Sequence, residues 1–356
     1  MVHDRWMKWT TAAASAVCAL LLALIFFGRD GSGWILDSTR LQNFKIVFIS
    51  IILEALPFLL IGVIISALLQ AFVSDGLVRK LTPRNPVAGV LFGTLLGIVL
   101  PLCECGMIPI VRRLMRKGLP AYIGLIYIVA GPIINPVVFG ATFQAFRSNE
   151  DLAYSRFYLA FFVSVALGFI LYARLKRSPL KEDRPGSGTA AASSHADHQH
   201  SHGHLHHSHH HDHSDPNAPF VKKLAATPSH IADEFFEMGK YLILGSLITG
   251  LMQTFITRSS FAAVADHELL SHLFMMAFAY ALSLCSTSDA FVAASFGNVF
   301  PPAALLSFLV VGPMLDLKNT LMMLAVFRKK FVLKFSLLIA VLVLLGSLAF
   351  DRLGFV

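Results

Sequence analysis

The sequence predicts an all-α integral membrane protein with about seven full transmembrane helices and two re-entrant or broken helices, arranged as an inverted repeat. Composition is the first reason. The chain has 356 residues, 56% of them hydrophobic and only 14% charged, with a mean hydropathy of +0.67. A soluble domain carries roughly 25% charged residues to cover its surface. This composition therefore excludes an ordinary soluble fold and predicts a lipid environment.

The distribution of basic residues is the second reason. The net charge of +8 lies in short segments between apolar runs, so it predicts membrane orientation and no nucleic-acid partner. We place the N-terminus in the cytoplasm and treat the segments near Cys103 and Cys285 as hairpins. Most Lys and Arg residues then lie inside, whereas full crossings would leave more of them outside. The positive-inside rule therefore favours the hairpins.

The apolar runs follow one another along the whole chain. Residues 11–27 form the first, and no small-residue cleavage site follows it, so we expect a retained helix. The others cover 44–73, 87–103, 119–146, 156–173, 235–257, 269–285, 303–327 and 332–350. The predicted domains are an N-terminal helix with an external loop (1–43), a first membrane repeat (44–176), a disordered His-rich cytoplasmic linker (177–230) and a second membrane repeat (231–356).

An internal repeat is the third reason. Landmarks in the two halves match at nearly equal spacing: Glu54, Gly62 and Gln70 with Glu237, Gly245 and Gln253; Leu102-Cys103 with Leu284-Cys285; Gly131-Pro132 with Gly312-Pro313. The charge-derived topology sends the Glu54 helix inward and the Glu237 helix outward, so the repeats are inverted. Inverted repeats with broken helices are typical of secondary transporters. The alternative is a duplicated scaffold in which prolines only kink helices.

A few polar residues lie deep in the apolar runs. A charged side chain at the bilayer centre costs about 2.5–3.5 kcal/mol even on lenient scales, so each needs a partner or a wet cavity. Glu54 and Glu237 are predicted to couple transport to protons, because the repeat makes them equivalent, although Lys240 could instead pair with Glu237. Asp316 and Lys318 could form a buried ion pair or contribute to a substrate pathway.

The strongest chemical signal is Cys103-Glu104-Cys105, which lies between Pro101 and Gly106 at a predicted mid-membrane turn. Thiolates select Cu(I) and Zn(II) and also suit trivalent arsenic. The alternative is that these cysteines are small buried hydrophobes. The predicted substrate or metal pathway consists of Cys103, Glu104, Cys105, Cys285, Asp289, Asn135, Asp316 and Asn319.

A histidine-rich segment over 195–213 lies between the two repeats. Its histidines are His195, His198, His200, His202, His204, His206, His207, His209, His210, His211 and His213. Such a dense set of imidazoles binds Zn, Cu, Ni or Co without a fixed geometry, which predicts a metal buffer or sensor. The alternative is an adventitious polar linker or a tag. No tightly bound cofactor is predicted.

No catalytic residues are predicted, and we do not expect an enzyme. His267 and His272 flank a glutamate in a motif like that of zinc proteases, but they are five residues apart and point in different directions on a helix. The chain also contains no GxxxxGK[ST] phosphate loop. If ATP hydrolysis is needed, it takes place on another chain.

Two motifs carry a resemblance to a known family. Pro101-Leu102-Cys103-x-Cys105-Gly106 with Gly131-Pro132-x2-Asn135-Pro136 resembles the predicted permease family that includes ArsP-type organoarsenical efflux permeases. The run 288–293 with 312–319 looks like the UPF0718 branch of that family, and the resemblance covers roughly 44–350. It implies a multi-spanning permease of the bacterial inner membrane for organoarsenicals, copper or zinc. The family's usual Ser between the cysteines is Glu104 here, and its hard oxygen favours a divalent metal.

Together these observations predict a secondary transporter that exports Zn(II) or a related soft metal ion. The first alternative is efflux of trivalent organoarsenicals or another small organic solute. The second is a non-transporting membrane assembly or anchor subunit. The expected partners are the lipid bilayer and the transported metal ion or solute, with a homo-oligomer or an accessory membrane or periplasmic protein left open.

Overall fold

The computed structural model describes residues 38–72, 75–83, 85–99, 103–147, 149–175, 179–181, 220–255 and 267–355. The predicted first helix at 11–27 and the histidines of 195–213 lie outside the described residues. The described residues are helical apart from short connections and one isolated antiparallel bridge between Leu180 and Phe327. This all-helical architecture agrees with the predicted class.

The helices of the two halves follow one another in the same order. The first half contains α1 (Ser38–Phe72), α2 (Asp75–Leu81), α3 (Pro86–Val99), α4 (Glu104–Arg116), α5 (Ala121–Ala130), α6 (Pro136–Ala145) and α7 (Asp151–Arg174). The second half contains α8 (Phe220–Phe255), α9 (Glu268–Leu282), α10 (Ser288–Ala294), α11 (Pro302–Met314), α12 (Leu317–Val326) and α13 (Lys329–Arg352). Helix α8 begins inside the segment predicted as linker.

Five helical segments of the described residues are long and apolar enough to cross a membrane. They are Gln42–Leu69, Asp151–Arg174, Phe235–Gln253, Pro302–Val326 and Lys329–Arg352. These segments make the chain a multi-pass membrane protein.

The run 119–146, predicted as one apolar segment, is divided in the structure. Helix α5 ends at Ala130, and α6 starts at Pro136 after an extended Asn135 whose side chain accepts a hydrogen bond from the Val137 amide at 2.9 Å. The physical reason is local, because a residue before proline avoids the helical conformation and Asn is a strong helix N-cap.

Helices α3 and α4 are the two arms of a hairpin. Gly89 of α3 packs against Tyr122 of α5, and Gly97 packs against Gly131, so α3 and α5 are parallel. Met107, near the start of α4, also contacts Gly131 at the end of α5, so α4 runs antiparallel to α5. The chain therefore reverses direction between α3 and α4.

Helices α9 and α10 reverse direction in the same way. Phe300, which follows α10, stacks on Phe274 of α9 with ring centroids 5.8 Å apart. Phe296 lies closer to α10 in sequence and packs edge-on against Phe278, one turn further along α9, at 5.7 Å. The later residue after the turn therefore contacts the earlier residue of α9. The segment after the turn thus runs back along α9.

The long helices that correspond between the halves pack antiparallel to each other. Phe44, near the start of α1, contacts Gly250, near the end of α8. Ser155, near the start of α7, donates a hydrogen bond to the carbonyl of Phe355, just after α13, at 2.8 Å. Helices α1 and α8 therefore run in opposite directions, as do α7 and α13.

The interior of the bundle is formed by α5 and α11. Residues 123–130 of α5 and 303–314 of α11 are all buried. Helices that are apolar on every side are typical of such an interior. By contrast, 28% of an 18-residue apolar stretch within Lys329–Arg352 is buried, against 72% of the corresponding stretch within Pro302–Val326, so α13 belongs to the outer, lipid-facing layer.

Candidate functional site

The turns of the two hairpins meet around one cleft, which we call the thiol cleft. It has a cavity volume of about 30 Å³ and is closed on its other sides by α1 and by the first turn of α12. Its lining consists of Ile51, Glu54, Ala55, Phe58, Cys103, Glu104, Cys105, Ser283, Leu284, Cys285 and Lys318. Residues that are far apart in the sequence thus contribute to a single polar site.

Exposure shows which lining residues lie deep in the cleft. The Glu54 side chain lies at its exposed edge, and Cys103 and Cys285 are half-buried. Glu104, Cys105 and Lys318 are buried, with exposed fractions of 3%, 3% and 5%. The cleft therefore has an acidic mouth, two accessible thiols and a charged base.

The close contact between α1 and α4 depends on two glycines. A Cβ added at Gly62 of α1 would overlap the main chain of Gly106, in the first turn of α4. Small residues allow helices in a membrane to approach this closely.

Pro109 lacks an amide proton, so it cannot donate the usual helical hydrogen bond to the Cys105 carbonyl. The start of α4 therefore offers a carboxylate, a thiol and a main-chain oxygen close to the cleft.

The three cysteines of the described residues are free thiols. The Cys285 Sγ lies 3.6 Å from Thr287 Oγ1. Within the described part of the chain, no three His, Cys, Asp or Glu side chains are close enough together to hold a metal ion. The thiols face one cleft without forming a finished metal site, so metal binding would require the two turns to move closer together.

The first turn of α12 holds Lys318 at the base of the cleft. The Asp316 side chain accepts a hydrogen bond from the Asn319 amide and so caps α12. The Lys318 amide donates to Ser283 Oγ at 3.3 Å, and a Cβ at Gly245 of α8 would lie 3.0 Å from the Lys318 Cα. These contacts position the Lys318 main chain against both the second hairpin and α8.

Several buried polar atoms near the cleft have no partner. Among the described residues, Glu104 Oε1 and both amide atoms of Asn319 make no hydrogen bond. Leaving one such atom unpaired costs about 1–3 kcal/mol, so each requires an explanation. A site that hydrogen-bonds or coordinates a transient ligand provides one.

The structure places Asp289 away from the thiols, in contact with Arg156 of α7. Arg156 Nη2 lies 2.8 Å from Asp289 Oδ2, and both side chains are only 2% exposed. Arg156 also donates to Thr142 Oγ1 at 2.6 Å and to the Ser286 carbonyl at 3.2 Å. Asn135 caps α6 and is not part of the cleft lining, so two predicted pathway residues have structural partners elsewhere.

The two equivalent acids also have different partners. Glu54 accepts a hydrogen bond from Ser288 Oγ at 3.4 Å, next to the second hairpin turn. Glu237 pairs with Arg112 of α4 at 2.9 Å and not with Lys240, whose Nζ lies 5.3 Å from the centre of the Tyr241 ring. The alternative pairing of Glu237 with Lys240 was therefore wrong.

Two residues of these networks were missed from the sequence. Arg156 lies at the start of an apolar run, and the cost of an intramembrane arginine is a signal that it needs an acidic partner. Ser283 adopts a left-handed conformation (φ 47°) at the turn after α9 and accepts the Lys318 amide. A serine gives no comparable signal, because nothing in its local sequence shows this conformation.

The structure is thus that of a multi-pass helical membrane protein with thiols and charged side chains around a cleft at its helix breaks. The chain belongs to the predicted permease family ArsP_1, whose sequence pattern matches residues 40–352. This confirms the resemblance seen in the CxCG segment. Membership of a permease family implies a transporter and not an enzyme.

Two relatives cover nearly the same length. The chain is 43% identical over 303 residues to "UPF0718 protein YcgR" of Bacillus subtilis (strain 168), covering 85% of this chain and 95% of that protein. It is 35% identical over 300 residues to a Streptococcus mutans serotype c protein named "Putative two-component membrane permease complex subunit", covering 84% and 92%. No solved structure shows significant similarity to the chain.

Proposed function

We propose that this permease is a secondary transporter that exports Zn(II) or a related soft metal ion through the thiol cleft. Cys103, Glu104, Cys105 and Cys285 contact the ion. The observation that carries the proposal is the convergence of three free thiols and a partnerless buried carboxylate on one cleft. Thiolates suit soft and borderline metal ions, and the added carboxylate favours a divalent one.

The packing of the halves supports an inverted repeat with re-entrant hairpins. The corresponding long helices run antiparallel, and each half contains a hairpin and a broken helix in the same order. In transporters with this architecture, one half rocks against the other around a site formed by the broken helices. We propose the same alternating access here, with the thiol cleft as the site.

The basic end of the bundle supports a cytoplasmic location for the ends of α4 and α12 in the bacterial inner membrane. Lys181 donates to the Leu324 carbonyl at the end of α12, and Arg328 donates its amide to the Pro179 carbonyl. Burial lowers the pKa of Lys181, and the nearby charges of Lys329 and Arg112 act in the same direction. A concentration of basic residues at one end is typical of the cytoplasmic side.

Of the two acids predicted to exchange protons, Glu54 has the stronger support. It lies at the exposed edge of the cleft and contacts the second hairpin, so a change of its charge would affect both. Glu237 is already paired with Arg112. We further propose that the histidines of 195–213 collect metal ions for export.

Transport by the purified protein in liposomes tests the metal proposal. We expect uptake of Zn, Cu or Co, but not of arsenite, to depend on a pH gradient. Cys103→Ala combined with Cys105→Ala should abolish it. Cys18→Ala, in the first predicted helix, is the matched control and should transport normally. Equal transport by the double variant, at equal protein incorporation, would contradict the proposal.

Efflux of a trivalent organoarsenical is the second candidate. The free thiols favour it, because trivalent arsenic binds thiols and does not need the carboxylate. Glu104→Ser restores the residue usual in the family. If an organoarsenical is the substrate, this variant and deletion of 195–213 should both keep full transport. If zinc is the substrate, Glu104→Ser should lose it and the deletion should change metal tolerance.

A partner subunit also has some support, because one relative is named a subunit of a two-component permease complex. We propose that a second membrane protein binds this chain. Copurification from membranes with a tagged chain tests this. If the chain transports nothing alone but does so with the copurified protein, the partner is required. If it is inactive even then, it is an assembly or anchor subunit.

A further inference from the structure

Lys318 places a cation inside a site proposed to bind cations. Its side chain lines the base of the thiol cleft together with Glu104 and Cys105 and is only 5% exposed. Its main chain is held by the Ser283 hydroxyl and by the close contact with Gly245. The main chain is therefore fixed, while the flexible four-carbon side chain can move within the cleft.

The ammonium group lies among the acidic groups of the cleft. Its side chain lines the cleft beside Glu104, Cys105 and Cys285, and Asp316 lies within ion-pair distance. The ion pair with Asp316 is long, at 3.8 Å between Nζ and Oδ2, while Asp316 Oδ1 accepts the Asn319 amide. Lys318 is thus a counter-charge for the whole cleft and is not locked to a single carboxylate.

A buried anionic site without a bound cation has an unfavourable free energy. Removing carboxylates from water without a compensating cation costs several kcal/mol per ion. An export cycle contains such a state, because the transporter must return without its metal ion. The proton proposed to enter on Glu54 lies at the exposed mouth and leaves the buried base of the cleft without a cation. Some positive charge has to stay in the site during that step.

We infer that the Lys318 ammonium is an internal substitute for the transported cation. It occupies the cleft when the site is empty and is displaced towards Asp316 when the transported ion binds Glu104 and the thiols. This inference rests on the proposed function, since it requires a cationic substrate. It assigns to Lys318 the return of the empty transporter and gives it no part in the loaded step.

Two consequences follow for the kinetics. Without the ammonium, the transported ion no longer competes with an internal cation, so it should bind more tightly. Net export, which includes the empty return, should fail. Exchange of zinc across a membrane with zinc on both sides should continue, because the loaded transporter moves in both directions and never returns empty.

The experiment uses the full-length protein in detergent for zinc binding and in liposomes for zinc flux. Lys318→Met should bind zinc at least about tenfold more tightly, equivalent to about 1.4 kcal/mol. It should exchange radioactive zinc at a normal rate and lose net efflux by at least about tenfold. Lys240→Met removes a lysine outside the cleft lining and should behave as the wild type.

Lys318→Arg tests the same point with the charge retained. The guanidinium binds carboxylates in a bidentate way and is a stronger competitor, so zinc should bind more weakly than to the wild type. Unchanged affinity in both variants, or an equal loss of exchange and net efflux in Lys318→Met, would overturn the inference. A wild-type protein that neither binds nor moves zinc would instead overturn the proposed function, and the inference with it.

Discussion

The two hairpin turns both line the thiol cleft, yet their other surroundings differ. The turn before α4 faces the first turn of α12 across the thiol cleft, where Glu104 Oε1 has no partner among the described residues. The turn before α10 packs against α6, and the Arg156–Asp289 ion pair lies there. The second turn is thus tied by Arg156 to α6 and α7, whereas the Glu104 carboxylate at the first has an unpaired oxygen.

The difference shows why a polar residue at a helix break is not by itself evidence of a substrate site. Asp289 and Glu104 are equally buried acids, each at the start of a helix that follows a hairpin turn. Asp289 has its hydrogen-bonding capacity used by an arginine, whereas Glu104 does not. The unused hydrogen-bonding capacity of Glu104, and not the mere presence of a buried acid, identifies the candidate site.

Removing Arg156 should have the largest effect on stability. Arg156→Met leaves the Asp289 carboxylate buried without its counter-ion, which typically costs about 3–5 kcal/mol. We expect a clearly lower unfolding temperature in detergent micelles. Arg147→Met is the matched control, because Arg147 is exposed and donates a hydrogen bond to the exposed Gln144. If both variants unfold at the wild-type temperature, the Arg156–Asp289 ion pair does not stabilise the turn before α10.

Substituting the contact glycines should have an intermediate effect. Gly62→Ala pushes α1 away from the start of α4, and such overpacking typically costs about 1–3 kcal/mol. Gly245→Ala should cost less, because the nearest atom, Lys318 Cα, lies 3.0 Å from the added Cβ. Gly239→Ala meets no atom within 4 Å and serves as the control. Unfolding temperatures in the reverse order would show that these contacts do not set the width of the cleft.

Removing the Glu237 charge should have the smallest effect. The pair with Arg112 is partly exposed, at 41% for Glu237 and 15% for Arg112, and such pairs contribute about 0.2–1 kcal/mol. Glu237→Gln should therefore barely change the unfolding temperature or zinc transport.

Glu54→Gln should keep its stability but lose the dependence of transport on the pH gradient. Loss of that dependence in Glu237→Gln would show that both acids exchange protons.

Much of the local structure could be predicted from residue chemistry. Proline and glycine mark the ends of α5 and α11, and Cys103 lies directly before α4. The interruption at 131–135 was underestimated, because its Gly-Pro and Asn-Pro pairs lie within an otherwise uniformly apolar run.

The partners of the buried charges could not be predicted in the same way. Arg156 and Asp289 are separated by 133 residues, and Arg112 and Glu237 by 125. The nearest opposite charge along the helix, Lys240, was the natural candidate for Glu237 and proved to be wrong. Packing between the two halves, and not proximity along one helix, therefore determines which charged residues pair.

The sequence by itself determined that the chain is an all-helical membrane protein and that its helices break near Cys103 and Cys285. These properties depend on hydropathy, proline and glycine, which act on the nearest few residues. Only the tertiary structure decided that three thiols share one cleft with Lys318, that Asp289 belongs to Arg156 and that Glu54 and Glu237 have different surroundings. The reason is that each pairing results from the packing of one half against the other, which brings together atoms more than a hundred residues apart.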